Sequence, residues 1–226
     1  MTSQPAASAK SLPDHLLAGY QAFVAARLPD EQARFRELSE KGQRPKVMLI
    51  GCCDSRVPPE VIFGAGPGEL FVVRNVANLV PTYGPDANLH GTSAALEFAV
   101  MGLRVEHVVV MGHAQCGGVR SYVENEIDPY ARPLSPGDFI GQWMTLIKPA
   151  AARIGPPEGE VEDYIERLAK ESVRQCLDNL RTFPCVKTLE ERGRLALHGA
   201  YFGVADGRLQ TLDEASGAFA PVFAAS

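Results

Sequence analysis

Three side chains that favour soft metal ions stand just beyond two apolar runs. The first run, Val47-Met48-Leu49-Ile50-Gly51, leads directly into Cys52-Cys53-Asp54-Ser55-Arg56. The second, His107-Val108-Val109-Val110-Met111-Gly112, leads into His113-Ala114-Gln115-Cys116-Gly117-Gly118. Short continuous apolar runs bounded by polar turn residues read as buried parallel strands. In open α/β sheets, ligands sit beyond the carboxyl ends of such strands. If the two strands are near neighbours, Cys52, His113 and Cys116 converge at one edge of the sheet. Two thiolates and one imidazole suit zinc, and a fourth position left open marks a catalytic rather than a structural zinc. Taken singly, a strand-end Cys is most often a small buried hydrophobe, and a lone His a satisfied core or surface residue. The three together, with Cys116 three residues after His113, favour the metal. Zinc would lower the pKa of bound water so that hydroxide exists near neutrality. Two thiolates donate more charge than imidazoles and would lower it less than an all-His site does.

Asp54 and Arg56 form a second constellation. They are close enough in sequence to fold back on each other as a bidentate carboxylate–guanidinium pair. The duller reading is a solvated surface pair of little worth. No base stands beside Ser55, so it caps or bridges the loop rather than acting as a nucleophile.

The elements that must carry these residues follow from periodicity and punctuation. Leu16, Leu17, Tyr20, Phe23 and Val24 recur at helical spacing within a helix from Pro13 to about Glu40, preceded by a small, polar, loose segment (residues 1–12). A helical turn opens at Pro58-Pro59-Glu60 and ends at Gly64–Gly68, a second strand runs over Leu70–Val73, and a helix runs from about Thr92 to Gly102. A third strand over Val108–Met111 precedes a helix from about Gly117. Two helices are expected over residues 138–154 and 160–182, broken at Gly155-Pro156-Pro157. Leu195–Val204 and Arg208–Leu212 read as a terminal β-hairpin around Asp206-Gly207. The fold class expected is α/β: a mostly parallel central sheet with helices on both faces, an N-terminal helical arm (1–40) and a C-terminal hairpin, in a single domain over 1–226.

Composition bounds the function. A formal net charge of −5 argues against nucleic acid as a partner. No apolar run approaches the roughly 18 residues that span a bilayer, and Met1–Lys10 lacks the apolar stretch of a secretory signal, so the expectation is a cytoplasmic protein with no membrane partner. The five cysteines, an odd number, suggest reduced thiols and metal ligation rather than a disulfide framework. Cys52 and Cys53 would face opposite ways on a strand, one ligating and the other packing.

C-x-D-S-R after one strand and H-x-x-C-G-G after another, about sixty residues on, with Gly68-Glu69-Leu70-Phe71-Val72-Val73-Arg74-Asn75 between them, resemble the β-class carbonic anhydrases. The resemblance runs from about Gln43 to Gly118 and more weakly to His198-Gly199. It implies one Zn2+ per chain on Cys52, His113 and Cys116. It implies a lyase that hydrates CO2 reversibly to bicarbonate and a proton by attack of zinc-bound hydroxide. Asp54 would then accept a hydrogen bond from that hydroxide, with Arg56 holding Asp54 off the metal. Asp54 has a further option in the fourth zinc position, and the family divides into open and Asp-capped forms on this point. Matching positions of the plant-like subgroup carry over substrate contacts: Gln43 as donor to the substrate oxygen, Phe71 and Val76 as pocket lining, and the Gly117 backbone N–H. Phe98 aligns with an aromatic, Tyr in that subgroup, supplied by a neighbouring chain.

The allosteric subgroup uses a Trp, an Arg and a Tyr where this chain has Leu49, Arg74 and Phe202. The resemblance therefore implies an open site and no cooperative inhibition by bicarbonate. It also implies a homodimer or dimer of dimers (a homotetramer), with the N-terminal helix reaching the other subunit. Any of His15, His90, His107 and His198 could relay protons to buffer, but nothing in the sequence selects one, and each is more often a residue without such a role. Two rivals remain: a carbon disulfide or carbonyl sulfide hydrolase on the same scaffold, and a zinc-stabilised binding or redox module.

Overall fold

The computed structural model describes residues 12–86, 88–128 and 130–223, so all but residue 12 of the expected loose N-terminal segment lies outside it. The chain divides into two compact units, Met1–Gln43 and Arg44–Ser226. In the first, α1 (Asp14–Ala22), a π-helical stretch (Phe23–Arg27) and α2 (Leu28–Lys41) follow one another, and Gly42 at φ 75° ends α2. No residue of these helices is buried. The expected helix is present, with its apolar side chains unclaimed by any core of its own unit.

The second unit is built on a six-stranded sheet in the order β2-β1-β3-β4-β5-β6. The strands are β1 (Val47–Cys52), β2 (Leu70–Asn75), β3 (His107–His113), β4 (Ala196–Phe202), β5 (Leu209–Asp213) and β6 (Ala218–Pro221). The first four are mutually parallel and the last two antiparallel. The apolar runs are continuous because β1 is covered on both faces: five of its six residues are buried. From β1 the chain steps outward through α3 (Pro59–Ile62) to β2. It returns past β1 to β3 through α4 (Gly91–Glu97) and a π-helical stretch (Phe98–Leu103). The order thus reverses at β1, and the crevice beyond the carboxyl ends of β1 and β3 is the topological switch point where such sheets bind ligands.

Beyond β3 come α5 (Gly117–Ile127), α6 (Phe139–Met144), a 3-10 turn (Thr145–Ile147), α7 (Lys148–Ile154), α8 (Val161–Arg181) and α9 (Pro184–Glu191). The helix expected over 138–154 is segmented, and Pro149, in the first turn of α7, supplies the cause by removing a backbone donor. α8 buries Ile165, Leu168, Ser172, Cys176 and Leu180, among others, at three- and four-residue spacing. It lies close to the sheet at Gly112, where an added Cβ would stand 2.8 Å from Val173 Cγ2.

Two elements were not expected, α9 and β6. α9 is eight residues long: it buries Val186 and packs half-buried Cys185 and Leu189 on the core, a face too short for a helix to be read from its period alone. β6 is four residues long, largely exposed and contains Pro221. Its turn was readable: the Asp213 carboxylate accepts from the Ala215 N–H at 3.0 Å, and Gly217 takes φ 70°. Among the described residues no helix is long and apolar enough to cross a membrane.

Candidate active site

β1 ends at Cys52, level with Asn75 of β2, and β3 ends at His113, level with Phe202 of β4. After His113 the chain turns back through Gln115, a left-handed residue at φ 54°, and Cys116 becomes the N-cap of α5. The ligating atoms of Cys52, His113 and Cys116 all lie within 4.8 Å of one another, and each residue is buried. The two sulfurs are 3.9 Å apart. Two sulfurs bound tetrahedrally to one zinc at about 2.3 Å would stand about 3.8 Å apart. His113 Nδ1 faces the Ala114 carbonyl oxygen at 2.9 Å. As a donor there, it leaves the Nε2 lone pair to point into the site. His113 Nε2 is buried with no hydrogen-bond partner. That orphan nitrogen between two thiols fits a metal ion.

The thiols are unequal as a bare pair. The Cys52 thiol is pushed down, first by the Cys116 sulfur beside it and against the effect of burial. The Cys116 thiol is pushed up, first by Cys52 and then by burial. One proton shared between two buried sulfurs is the physical content, and a dication would relieve the repulsion that keeps it there. Backbone N–H groups are already aimed at the negative form: those of Asp54 and Ala77 at Cys52, and those of Gly118 and Val119 at Cys116.

Asp54 and Arg56 form the bidentate pair. Arg56 Nε donates to Asp54 Oδ1 at 2.9 Å, its terminal nitrogen to Oδ2 at 2.7 Å, and the Arg56 N–H to Oδ1 at 3.0 Å. These bonds hold the Asp54 carboxyl well below the usual carboxylate range. Asp54 Oδ2 is 3.9 Å from His113 Nε2. With Nε2 presented as a lone pair, this is a carboxylate over the ligand set rather than an ion pair. The same Arg56 nitrogen donates to the Gln115 carbonyl at 3.0 Å, tying the two site loops together.

Arg74 carries a part that sequence reasoning missed. Its Nε donates to the Cys52 carbonyl at 2.8 Å and its terminal nitrogen to the Asp54 carbonyl at 2.6 Å. It therefore fixes the backbone from Cys52 to Asp54. Carbonyl partners leave no trace in side-chain identity, so the only available signal was an arginine near a strand end.

The remaining candidates are dispersed. Gly117 follows the last ligand with open space where a Cβ would stand. Val76 follows β2, its carbonyl taking a 2.8 Å bond from Trp143 Nε1. It lines a cavity of about 740 Å3 with Cys53, Arg74, His90 and Trp143. Phe71 is level with Met48, four residues before Asn75, or about 13 Å along the strand from its own chain's site. It packs on Phe98 with ring centroids 5.9 Å apart. Gln43 is the last residue of the N-terminal unit. Leu49 and Phe202 belong to a small apolar cluster with Met111 and Ala200. Of the histidines, His90 faces Asp86 at 2.7 Å and His107 faces His198 at 3.1 Å. Cys53 is exposed and Cys176 buried, and all five cysteines are free.

A sequence profile described as carbonic anhydrase matches residues 47–209, a stretch that starts at β1 and takes in Cys52, Asp54, Arg56, Arg74, His113 and Cys116 but not Gln43. This chain belongs to the β-class carbonic anhydrases. It is 36% identical over 205 residues to the carbonic anhydrase of Pseudomonas aeruginosa, covering 90% of this chain and 89% of that one. It is 33% identical over 195 residues to the chloroplastic β carbonic anhydrase 5 of Arabidopsis thaliana, covering 85% of this chain and 62% of that longer protein. Among solved structures, the β-carbonic anhydrase CcaA superposes with a TM-score of 0.83 at 29% identity, over 93% of this chain and 92% of that one. A tetrameric β-carbonic anhydrase of Sordaria macrospora superposes with a TM-score of 0.73 at 27% identity, over 92% and 98%. The chain is thus an enzyme of this class, with a buried Cys-His-Cys group able to hold a metal.

Proposed function

We propose that this chain catalyses zinc-dependent, reversible hydration of CO2 to bicarbonate and a proton at the Cys52–His113–Cys116 centre. One observation carries the reading: three soft ligand atoms within 4.8 Å of one another, under a carboxylate that Arg56 holds ionised. Zinc bound there supplies Lewis-acid activation of water near neutral pH. Asp54, ionised and therefore an acceptor only, takes the hydrogen bond of the attacking oxygen and turns its lone pair toward CO2. Arg56 occupies both carboxylate oxygens, which keeps Asp54 out of the ligand set and favours the open form. Arg74 holds the intervening backbone, so the carboxylate and the first ligand keep their spacing. The Gly117 N–H and Val76 provide a donor and an apolar wall for a small apolar substrate.

Phe71 lies far from its own site on the unpaired edge strand β2, and no residue of α1 or α2 is buried. Both features support a homodimer, or a dimer of dimers, in which residues 1–226 act as one functional domain. In that assembly the helical arm reaches a second copy, and Phe71 and Gln43 complete a pocket at the interface. Free cysteines throughout support a cytoplasmic protein. Leu49 and Phe202 sit in an apolar cluster and Arg74 is committed to carbonyls, which supports a site insensitive to cooperative bicarbonate inhibition. The test is stopped-flow CO2 hydration beside sulfide release from carbonyl sulfide, before and after chelation and zinc restoration. Chelation should abolish hydration and zinc restore it. Hydration that is absent while sulfide is released would overturn the reading.

A further inference from the structure

The turn after β2 has a conformation that its own sequence does not favour. Ala77 and Asn78 stand in succession at φ 62° and φ 50°, in the left-handed region that Asn enters readily but Ala rarely, so the strain lies at Ala77. Such strain persists only where the surroundings over-determine it. Here they do. Asn75 closes the turn, its Oδ1 accepting the Leu79 N–H at 2.8 Å and its Nδ2 donating to the Leu79 carbonyl at 2.9 Å. Trp143 of α6 donates to the Val76 carbonyl at 2.8 Å. Cys176 of α8 accepts the Val80 N–H at 3.3 Å and faces the Asn78 carbonyl at 3.6 Å. Asn179, one turn on, donates to the Val80 carbonyl at 2.6 Å. Gly118 leaves room for the turn, since a Cβ there would lie 2.7 Å from Val76 Cγ1. The product of all this is one N–H: that of Ala77, directed at Cys52 Sγ at 3.3 Å.

We propose that Cys176 and Trp143 are positioning residues for the metal centre, holding the strained 76–80 turn so that the Ala77 N–H donates to the Cys52 sulfur. The inference rests on the reading of Cys52 as a metal ligand. A donor at the sulfur draws charge from it and sets how much it gives to the metal, as hydrogen bonds around metal ligands do elsewhere. Burial pushes the Cys176 thiol up to about 12, so it keeps its proton and can donate to Asn78 while accepting from Val80. Alanine at 176 removes both bonds and leaves a buried N–H and a buried carbonyl unpaired. Serine keeps a donor and an acceptor there.

The test uses the full-length protein, with zinc release to a competing chelator and the thiolate-to-metal charge-transfer band of the cobalt(II) form as readouts. Cys176→Ala and Trp143→Phe should each release zinc about 10-fold faster or more and shift the band. Cys176→Ser should stay close to the parent in both. The proposal is overturned if Cys176→Ala and Trp143→Phe keep the parental release rate and band while only their thermal midpoints fall. It is equally overturned if Cys176→Ser behaves as Cys176→Ala does. A parent protein with no thiolate–cobalt band at all would remove the metal reading itself, an outcome distinct from the first two.

Discussion

At the scale of single residues, the site combines one charged clamp, Asp54 with Arg56, and three side chains able to hold a metal, and they answer different questions. Asp54→Asn keeps the size of the side chain and removes its charge, so Arg56 loses its partner and the attacking oxygen loses its acceptor. Metal should stay bound while kcat/KM for CO2 hydration falls by about 10²-fold; near-normal kcat/KM would show that Asp54 has no orienting part. The same variant has an acid signature. The folded Asp54 carboxyl is depressed by Arg56, so its contribution to stability is complete above the unfolded value, about 3.9, and is lost as pH falls through the folded one. Urea titrations between pH 7 and 2 should therefore show a shallower acid loss for Asp54→Asn than for the parent. The residues legible from sequence were those whose chemistry is written in side-chain type: two Cys, a His, and an Asp next but one to an Arg. Arg74 and the Ala77 N–H escaped because their partners are a carbonyl oxygen and a sulfur met only in the fold.

At the scale of elements, the strand order does most of the positioning. Continuous apolar runs gave β1 and β3 directly, and their being neighbours was the one condition the sequence left open; the β2-β1-β3 order meets it. α9 and β6 stayed hidden because they are short: two helical turns and four strand residues, of which only Phe219 is half-buried, repeat too few times to show a period. α8 was legible because its buried face repeats over 21 residues, and its close seat on β3 depends on Gly112. An added methyl would press on Val173 Cγ2 at 2.8 Å, and β-branched Val173 cannot swing clear. Gly112→Ala is expected to destabilise the protein by about 1–3 kcal/mol in denaturant unfolding. An unchanged midpoint would mean that the helix shifts without cost.

At the scale of the whole molecule, the open question was what covers an amphipathic helix whose residues are nowhere buried and why Phe71 sits far from the site on the edge strand β2. The proposed second copy would answer both, and twofold pairing is the usual form. Sedimentation should give a dimer or larger, and removal of residues 1–41 should lower both the assembly state and the activity. A fully active monomer would contradict this. All three scales meet in one proposed arrangement: a zinc ion that Cys52, His113 and Cys116 would hold, with Arg56 keeping Asp54 out of its fourth position. A crystal structure of the zinc-loaded protein near pH 7.5 tests it most directly. Water or a small anion is expected as the fourth ligand, with Asp54 still paired with Arg56; Asp54 bound to zinc, or zinc held by other residues, would overturn that arrangement.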